Sequence, residues 1–211
     1  MSRLPVTPGP GGGGARPFVL ASQSPARRAL LDAAGLTPEV VVSGVDESRV
    51  IGHDPAELAS ALAELKAQAV LDLVGRDSLV LGCDSVLDFD GEILGKPDGP
   101  EEAASRWKRM RGRSGTLHTG HCLIDLAAER RIVRDSETVV HFAEVSDAEI
   151  AAYVATGEPL HVAGSFTLDG YGSAFIDRIE GDPGTVIGLS MPLLRGMLGE
   201  LEIALTDLWR S

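Results

Sequence analysis

The chain is short of cysteine, short of positive charge and without a long apolar run, and each shortage excludes a class. Cys83 and Cys122 are the only cysteines among 211 residues. Their spacing fits no metal-ligand pattern and suggests no secreted disulfide scaffold. Lysine and arginine number 19 against 31 aspartates and glutamates, for a formal net charge of −12. That balance argues against a general duplex-DNA binder, which needs a broad basic surface. It leaves room for a small phosphate pocket, where a few local cations suffice. No apolar run approaches the roughly eighteen residues that span a bilayer, so no membrane is expected. There is no internal repeat and no HExxH, GxSxG or Rossmann glycine pattern. Gly95-Lys96-Pro97 invites comparison with a P-loop, but the spacing from Gly91 is one residue short and proline replaces the required Ser/Thr.

The opening MSRLPVTPGPGGGGARP has no apolar h-region, so it does not read as a secretory signal. Its proline and glycine content predicts a disordered tail over residues 1–16, followed by one folded unit over 17–208. The expected compartment is the cytoplasm. An apolar fraction of 44% and a charged fraction of 24% are ordinary for a globular chain of this length.

What is present centres on Leu20 to Gly35. Phe18-Val-Leu-Ala is a short apolar run fit for a buried strand. Ser24 is a good N-cap and Pro25 a good first helical residue, since its missing N–H would go unpaired there anyway. Leu30, Leu31 and Ala34 give the helix an apolar face, and Gly35 is a natural stop. The helix therefore opens with free amides, the Ser24 hydroxyl and two guanidinium groups, Arg27 and Arg28. Amides at the positive end of a helix dipole, joined by arginine, suit phosphate oxygens. The plainer alternative is a surface helix whose arginines face water.

Further cleft candidates follow in order. Asp46 and Glu47 lie in a polar loop just past the strand Glu39-Val-Val-Val, where α/β proteins place functional loops. Asp54-Pro55-Ala56-Glu57 reads as a capping box opening a helix to about Leu73 or Val74, with Leu58, Leu62, Leu65, Ala69 and Leu73 as its apolar stripe. Lys66 sits at the edge of that face, either snorkelling to water or pointing into a cleft toward an anion. Leu79-Val-Leu reads as a strand covered on both faces, Gly82 allows close backbone approach, and Asp90-Gly91 signals a hairpin. Asp84, an acid inside that apolar strand, is costly unless paired or bound to a cation. It is the strongest single candidate for a metal ligand or general base.

The rest is scaffold in this reading. A helix from Pro100 to about Arg111 carries Trp107 and Met110 toward the core and a basic face of Arg106, Lys108, Arg109, Arg111 and Arg113 toward solvent. Thr116–Leu126 and Ile132–Ala143 read as extended, which puts His118 and His121 on opposite faces. Ser146-Asp-Ala-Glu149 is a second capping box. A glycine-rich region follows from Ala163, then a strand at Ala174–Ile179, a turn at Gly181-Asp-Pro-Gly and a final helix over about Pro192–Leu205.

SPARRALL, the SGVDE loop, Lys66 in a helix, GCDS, ILGKP, RSGTLHTG and AGSFTLDGYG occur in one order from about Phe18 to Leu201. Together they resemble the Maf family, also called Maf/septum-formation-inhibitor-like nucleotide pyrophosphatases. The resemblance implies an α/β fold of the Maf/inosine-triphosphatase type, with a twisted mixed sheet in two lobes around a central cleft. It implies metal-dependent hydrolysis of a nucleoside triphosphate to monophosphate and pyrophosphate, with Mg²⁺ or Mn²⁺. It also implies a house-cleaning role toward non-canonical nucleotides, and often a homodimer. Ser24 and Arg27 match the family's phosphate-binding serine and second arginine. Glu47, Lys66, Asp84 and Lys96 match its polar cleft residues, with Asp84 the usual proton acceptor; from their own chemistry, Asp84 and Glu47 would hold the Mg²⁺ or Mn²⁺ through hard oxygen ligands. Ala26, Ser85 and Asp169 fall where subgroups differ and base preference is set. Pyrimidine-preferring members tend to carry Arg, Thr and Gln there, and this chain departs from all three. Two alternatives stay open: a nucleotide-binding regulator of cell division without catalysis, and a nucleotidyl or sugar-phosphate transferase.

Overall fold

The computed structural model describes residues 16–47, 50 and 52–209. The expected tail, up to residue 15, lies outside the described residues. Arg16, counted with that tail, is instead held: its guanidinium reaches both Asp125 oxygens at 2.6 and 3.0 Å and the Asp77 carbonyl at 3.0 Å.

Among the described residues, seven strands form one mixed sheet. β1 (Phe18–Leu20), fully buried, runs parallel to β2 (Glu39–Val40) on one side and to β3 (Leu79–Phe89) on the other. β3 turns through Asp90 and Gly91, both at positive φ, into β4 (Glu92–Leu94). β5 (Ser114–Asp125), β6 (Arg130–Phe142) and β7 (Ile176–Gly181) continue antiparallel, for an order of β2-β1-β3-β5-β6-β7 with β4 on β3.

The important irregularity is on one edge of β3. β1 covers only Leu79–Leu81, and β4 covers only Leu87–Phe89. Between them, over residues 82–86, no described strand pairs with that edge, and the sheet has an opening. Side chains along a strand alternate faces, but at an opening both faces border the same space.

Helices cover both sides. α1 (Pro25–Ala33) and α6 (Met191–Glu200) pack through Leu31, Leu194, Met197 and Leu198 on the face carrying Leu81, Cys83 and Leu123. α2 (Pro55–Gln68) packs on the opposite face with Val80, Cys122 and Ile124. Beyond the opening, α3 (Pro100–Met110) and α4 (Asp147–Ala155) build an aromatic core. There Trp107 meets Phe142, Tyr153 and Phe175 edge-on, at 5.5–5.9 Å between ring centres. A short helix, α5 (Pro183–Ile187), follows β7. No helix among the described residues is long and apolar enough to cross a membrane.

Several expectations are corrected. α2 ends at Gln68, and Leu71–Leu73 is a separate 3-10 turn with Leu73 68% exposed. The buried stripe of α2 is Ala59, Leu62, Ala63, Lys66 and Ala67, so that of the expected series Leu62 is on it, while Leu58 and Leu65 are not. The cause is the floor beneath it: a side chain at Gly82 would overlap the Ala63 carbonyl, and one at Gly120 the Ala59 carbonyl. Glycine below and alanine above let helix and sheet backbones touch, so the small residues form the interface. The Gly181-Asp-Pro-Gly turn opens α5, with Asp182 accepting from the Gly184 amide. The final helix stops at Glu200 because Glu202, at φ 63, turns the chain away.

Candidate active site

The opening beside β3 is a cleft of about 1220 Å³. The first wall comes from regular structure. Ser24 caps α1, its Oγ accepting from the Arg27 amide at 3.4 Å. An accepting hydroxyl keeps its own proton for another partner. The two arginines are consecutive, and one helical step of about 100° sends them different ways. Arg28 lies outside and meets Asp32, four residues on, at 3.4 Å. Arg27 turns inward and is 8% exposed. Its Nε donates to the Gly188 carbonyl at 2.7 Å, Nη1 to Ser22 Oγ at 3.3 Å and Nη2 to Ser85 Oγ at 3.1 Å. Three of its five N–H groups are thus spent on the protein, which fixes the guanidinium plane and leaves two for a ligand.

Across the opening, the close seat of α2 delivers Lys66 to the sheet. Its ammonium hydrogen-bonds Asp84 Oδ1 and lies 2.8 Å from Glu47 Oε1. The Lys66 and Asp84 side chains are each 10% exposed, while Glu47 is 44% exposed. A buried acid and a buried lysine are stable here because each satisfies the other. Burial alone would raise the Glu47 carboxyl. The Lys66 hydrogen bond and charge, with the charges of Lys96 and Arg27, outweigh it and hold Glu47 below the usual range. Glu47 therefore stays ionised. Lys96 stands exposed on a bend after β4. That bend is fixed at the Gly95 carbonyl, which accepts from Arg106 Nη1 at 2.6 Å and from the Gly164 amide at 3.1 Å. Arg106 was expected on a solvated face; it is 7% exposed, because it fastens this bend.

The second wall is made of turns. Ala26 is half-buried on the first wall, and Asp169 is exposed on the second; both line the cleft. The organiser of the second wall is Glu158, which sequence reasoning missed. Its carboxylate accepts from the Tyr153 hydroxyl at 3.0 Å, the Thr167 hydroxyl, and the Tyr171 and Gly172 amides at 2.9 Å each. Nothing in local periodicity marks it, since its partners lie up to fourteen residues downstream. Ser85, expected at a position where base preference is set, lines the cleft, and its hydroxyl meets Arg27 at 3.1 Å. His118 pairs with Asp135 at 3.0 Å on the α2 face. His121, fully buried, donates from Nδ1 to the Thr119 carbonyl and accepts the Ser190 amide at Nε2, each at 2.9 Å. The two histidines face opposite ways, as their spacing predicts.

Two cations, a lysine-bridged pair of carboxylates and a capped helix start are equipped to bind a polyphosphate and to hold a water beside it. Comparison with known proteins agrees with that chemistry. The chain is 61% identical over 196 residues to a protein of Salinispora tropica named nucleoside triphosphate pyrophosphatase, covering 91% of this chain and 87% of that one. A Streptomyces coelicolor protein of the same name is 61% identical over 92% of this chain and 95% of its own length. One from Synechococcus is 56% identical over 92% and 98%. Among solved structures, a nucleoside-triphosphatase / dITP/XTP pyrophosphatase from Mycobacterium abscessus aligns at a TM-score of 0.43 and 14% identity, over 87% of this chain and 94% of that one. Residues 17–201 match the model of the Maf-like protein family, and the chain belongs to that family.

Proposed function

We propose that the chain hydrolyses nucleoside triphosphates between the α- and β-phosphates, releasing monophosphate and pyrophosphate, and that its substrates are non-canonical or modified nucleotides. The observation that carries the reading is the Lys66 ammonium held between Asp84 and Glu47, in a cleft that also receives Arg27 and Lys96. The names of the 61% identical relatives support the same reaction.

A divalent cation, Mg²⁺ or Mn²⁺, fits this donor set. Asp84 and Glu47 already converge on one positive charge. A hard dication needs only one or two carboxylates when phosphate oxygens complete its shell. Among the described residues, no group of three or more His, Cys, Asp or Glu is placed to hold a metal alone, so substrate oxygens would share the work. When bound, the cation neutralises phosphate charge and acidifies the attacking water.

The protein's own groups do the rest. Arg27 offers its two remaining N–H groups to phosphate oxygens, and Ser24 offers its hydroxyl proton beside the helix start. Lys96, on its fixed bend, neutralises charge on the departing pyrophosphate. Lys66 holds the Asp84 carboxylate in one orientation. Asp84 then orients the attacking water and takes its proton. Positioning and fixed charge supply most of the rate in such reactions.

The test is pyrophosphate release from a panel of canonical, methylated and otherwise modified nucleoside triphosphates with added Mg²⁺ or Mn²⁺, with the nucleotide product identified. Equimolar monophosphate and pyrophosphate are expected. Bound but unaltered nucleotide, or a nucleotidyl group retained on an acceptor, would overturn the proposal.

A further inference from the structure

Arg27 is the end of a line of hydroxyl groups, and the direction of every hydrogen bond in that line is fixed. Its far end is the Thr185 carbonyl, which can only accept. Thr119 Oγ1 lies 2.8 Å from it and therefore donates. A hydroxyl has one proton, so Thr119 must accept in its 2.8 Å contact with Ser85 Oγ. Ser85 is then the donor there, and only its lone pairs remain for Arg27 Nη2 at 3.1 Å. The line runs from Arg27 through Ser85 and Thr119 to α5.

Three observations make Thr119 the controlling member. It is fully buried, so water cannot replace it. It stands opposite Ser85 in the β3–β5 register, so the sheet sets their separation. It also grips α5, whose C-terminal Gly188 carbonyl accepts Arg27 Nε at 2.7 Å. α5 is tied again at Thr185 Oγ1, 2.6 Å from Ser136 Oγ. One short helix therefore fixes the guanidinium at Nε directly and at Nη2 through two hydroxyls.

We propose that Thr119 is a positioning residue for the phosphate-binding guanidinium of Arg27, fixing Ser85 as an acceptor and setting the plane of the N–H groups offered to the nucleotide. A corollary is that Ser85 has no proton to give a substrate. This inference rests on the cleft being a nucleoside triphosphate site.

The experiment is a double-mutant cycle on kcat/KM. Thr119→Val keeps the shape and removes the hydroxyl. It is expected to lower kcat/KM about 10-fold in the otherwise native enzyme, chiefly through KM, and less than about 3-fold in an Arg27→Lys background, because a residue acting through another has nothing further to lose once that partner is changed. Thr119→Ser should restore most of the activity. Equal losses in the two backgrounds, or no loss in the first, would overturn the proposal. If Thr119→Val does not fold, Ser85→Ala cuts the same line from the cleft side and takes its place in the cycle, with the same two outcomes. Should the native enzyme release no pyrophosphate, the functional reading itself has failed. The cycle is then run on nucleoside triphosphate binding by calorimetry, where additive losses still overturn the role of Thr119.

Discussion

The two walls of the cleft are held in opposite ways. The wall bearing Arg27, Lys66 and Asp84 is set by main-chain contact: α2 rests on Gly82 and Gly120, and Arg27 is bound to the Gly188 carbonyl. The wall bearing Asp169 consists of turns, drawn together by one carboxylate, Glu158. The comparison teaches where tolerance should lie. A wall fixed by backbone cannot adjust to a changed phosphate geometry. A wall fixed by one side chain can be re-aimed by a few substitutions. On the proposed function, the first wall is the one to hold the phosphates that every nucleoside triphosphate shares, and the second is the one that can be re-aimed toward a different base.

The sharpest break of the first wall is Asp84→Asn. On the proposed mechanism it removes the proton acceptor while leaving Lys66 paired with Glu47, and pyrophosphate release is expected to fall by about 10³-fold or more. Circular dichroism should report an unchanged fold. Gly120→Ala comes next. The added methyl overlaps the Ala59 backbone, so α2 must lift. Overpacking of this kind costs about 1–3 kcal/mol, measurable by urea unfolding. A displacement of Lys66 by about 1 Å should lower kcat/KM about 100-fold. Glu158→Ala breaks the second wall. It should raise KM about 10-fold, equivalent to about 1.4 kcal/mol, with a smaller change in kcat. Glu158→Gln should fall between, since its one carboxamide oxygen can still accept from the Tyr153 and Thr167 hydroxyls and the Gly172 amide while the Tyr171 amide loses its acceptor. A larger loss from Glu158→Ala than from Gly120→Ala would reverse the comparison.

The smallest effects are those of pH on stability. Burial lowers the His121 pKa from 6.5 to about 4. The unfolded chain therefore takes up a proton that the folded chain refuses. Stability should fall as pH drops from about 6.5 to about 4, by at most about 3 kcal/mol from this group. His118 runs the other way. Its hydrogen bond to Asp135 outweighs burial and raises its pKa. The stability it contributes is complete below pH 6.5 and is lost as pH rises through the folded value. Thermal melts of His121→Gln should lack the acid slope, and those of His118→Gln the alkaline one.

Much of this was legible in the sequence because the signals were local. Ser24-Pro25 specified a helix start, Asp90-Gly91 a hairpin, and Ser146 with Glu149 a reciprocal cap that the structure contains. The embedded acid Asp84 and the misplaced Lys66 were anomalies of pattern, and the structure brings them together. What stayed hidden depends on the third dimension. Of the leucine series expected to form the buried face of α2, Leu62 does so, but Gly82 and Gly120 give the rest of that face to Ala59, Ala63 and Ala67. Arg106 looked solvated because nothing near it in sequence reveals the Gly95 carbonyl eleven residues away. Thr119 and Glu158 act through partners on other elements.

The uncovered edge of β3 has one more consequence. Asp84 and Ser85 are adjacent in the chain, yet one serves the lysine on α2 and the other the arginine on α1. Their assignment depends wholly on the parity of β3 against β5, where Asp84 stands opposite Gly120 and Ser85 opposite Thr119. A slip of a single residue would exchange them, turning a carboxylate toward the leucine-rich face and a hydroxyl toward Lys66. Every atom of the site would still be encoded, and none would meet its partner. The long pairing from Leu79 to Asp88 is thus a reading frame as much as a scaffold, and insertions or deletions within it should be tolerated far less than substitutions.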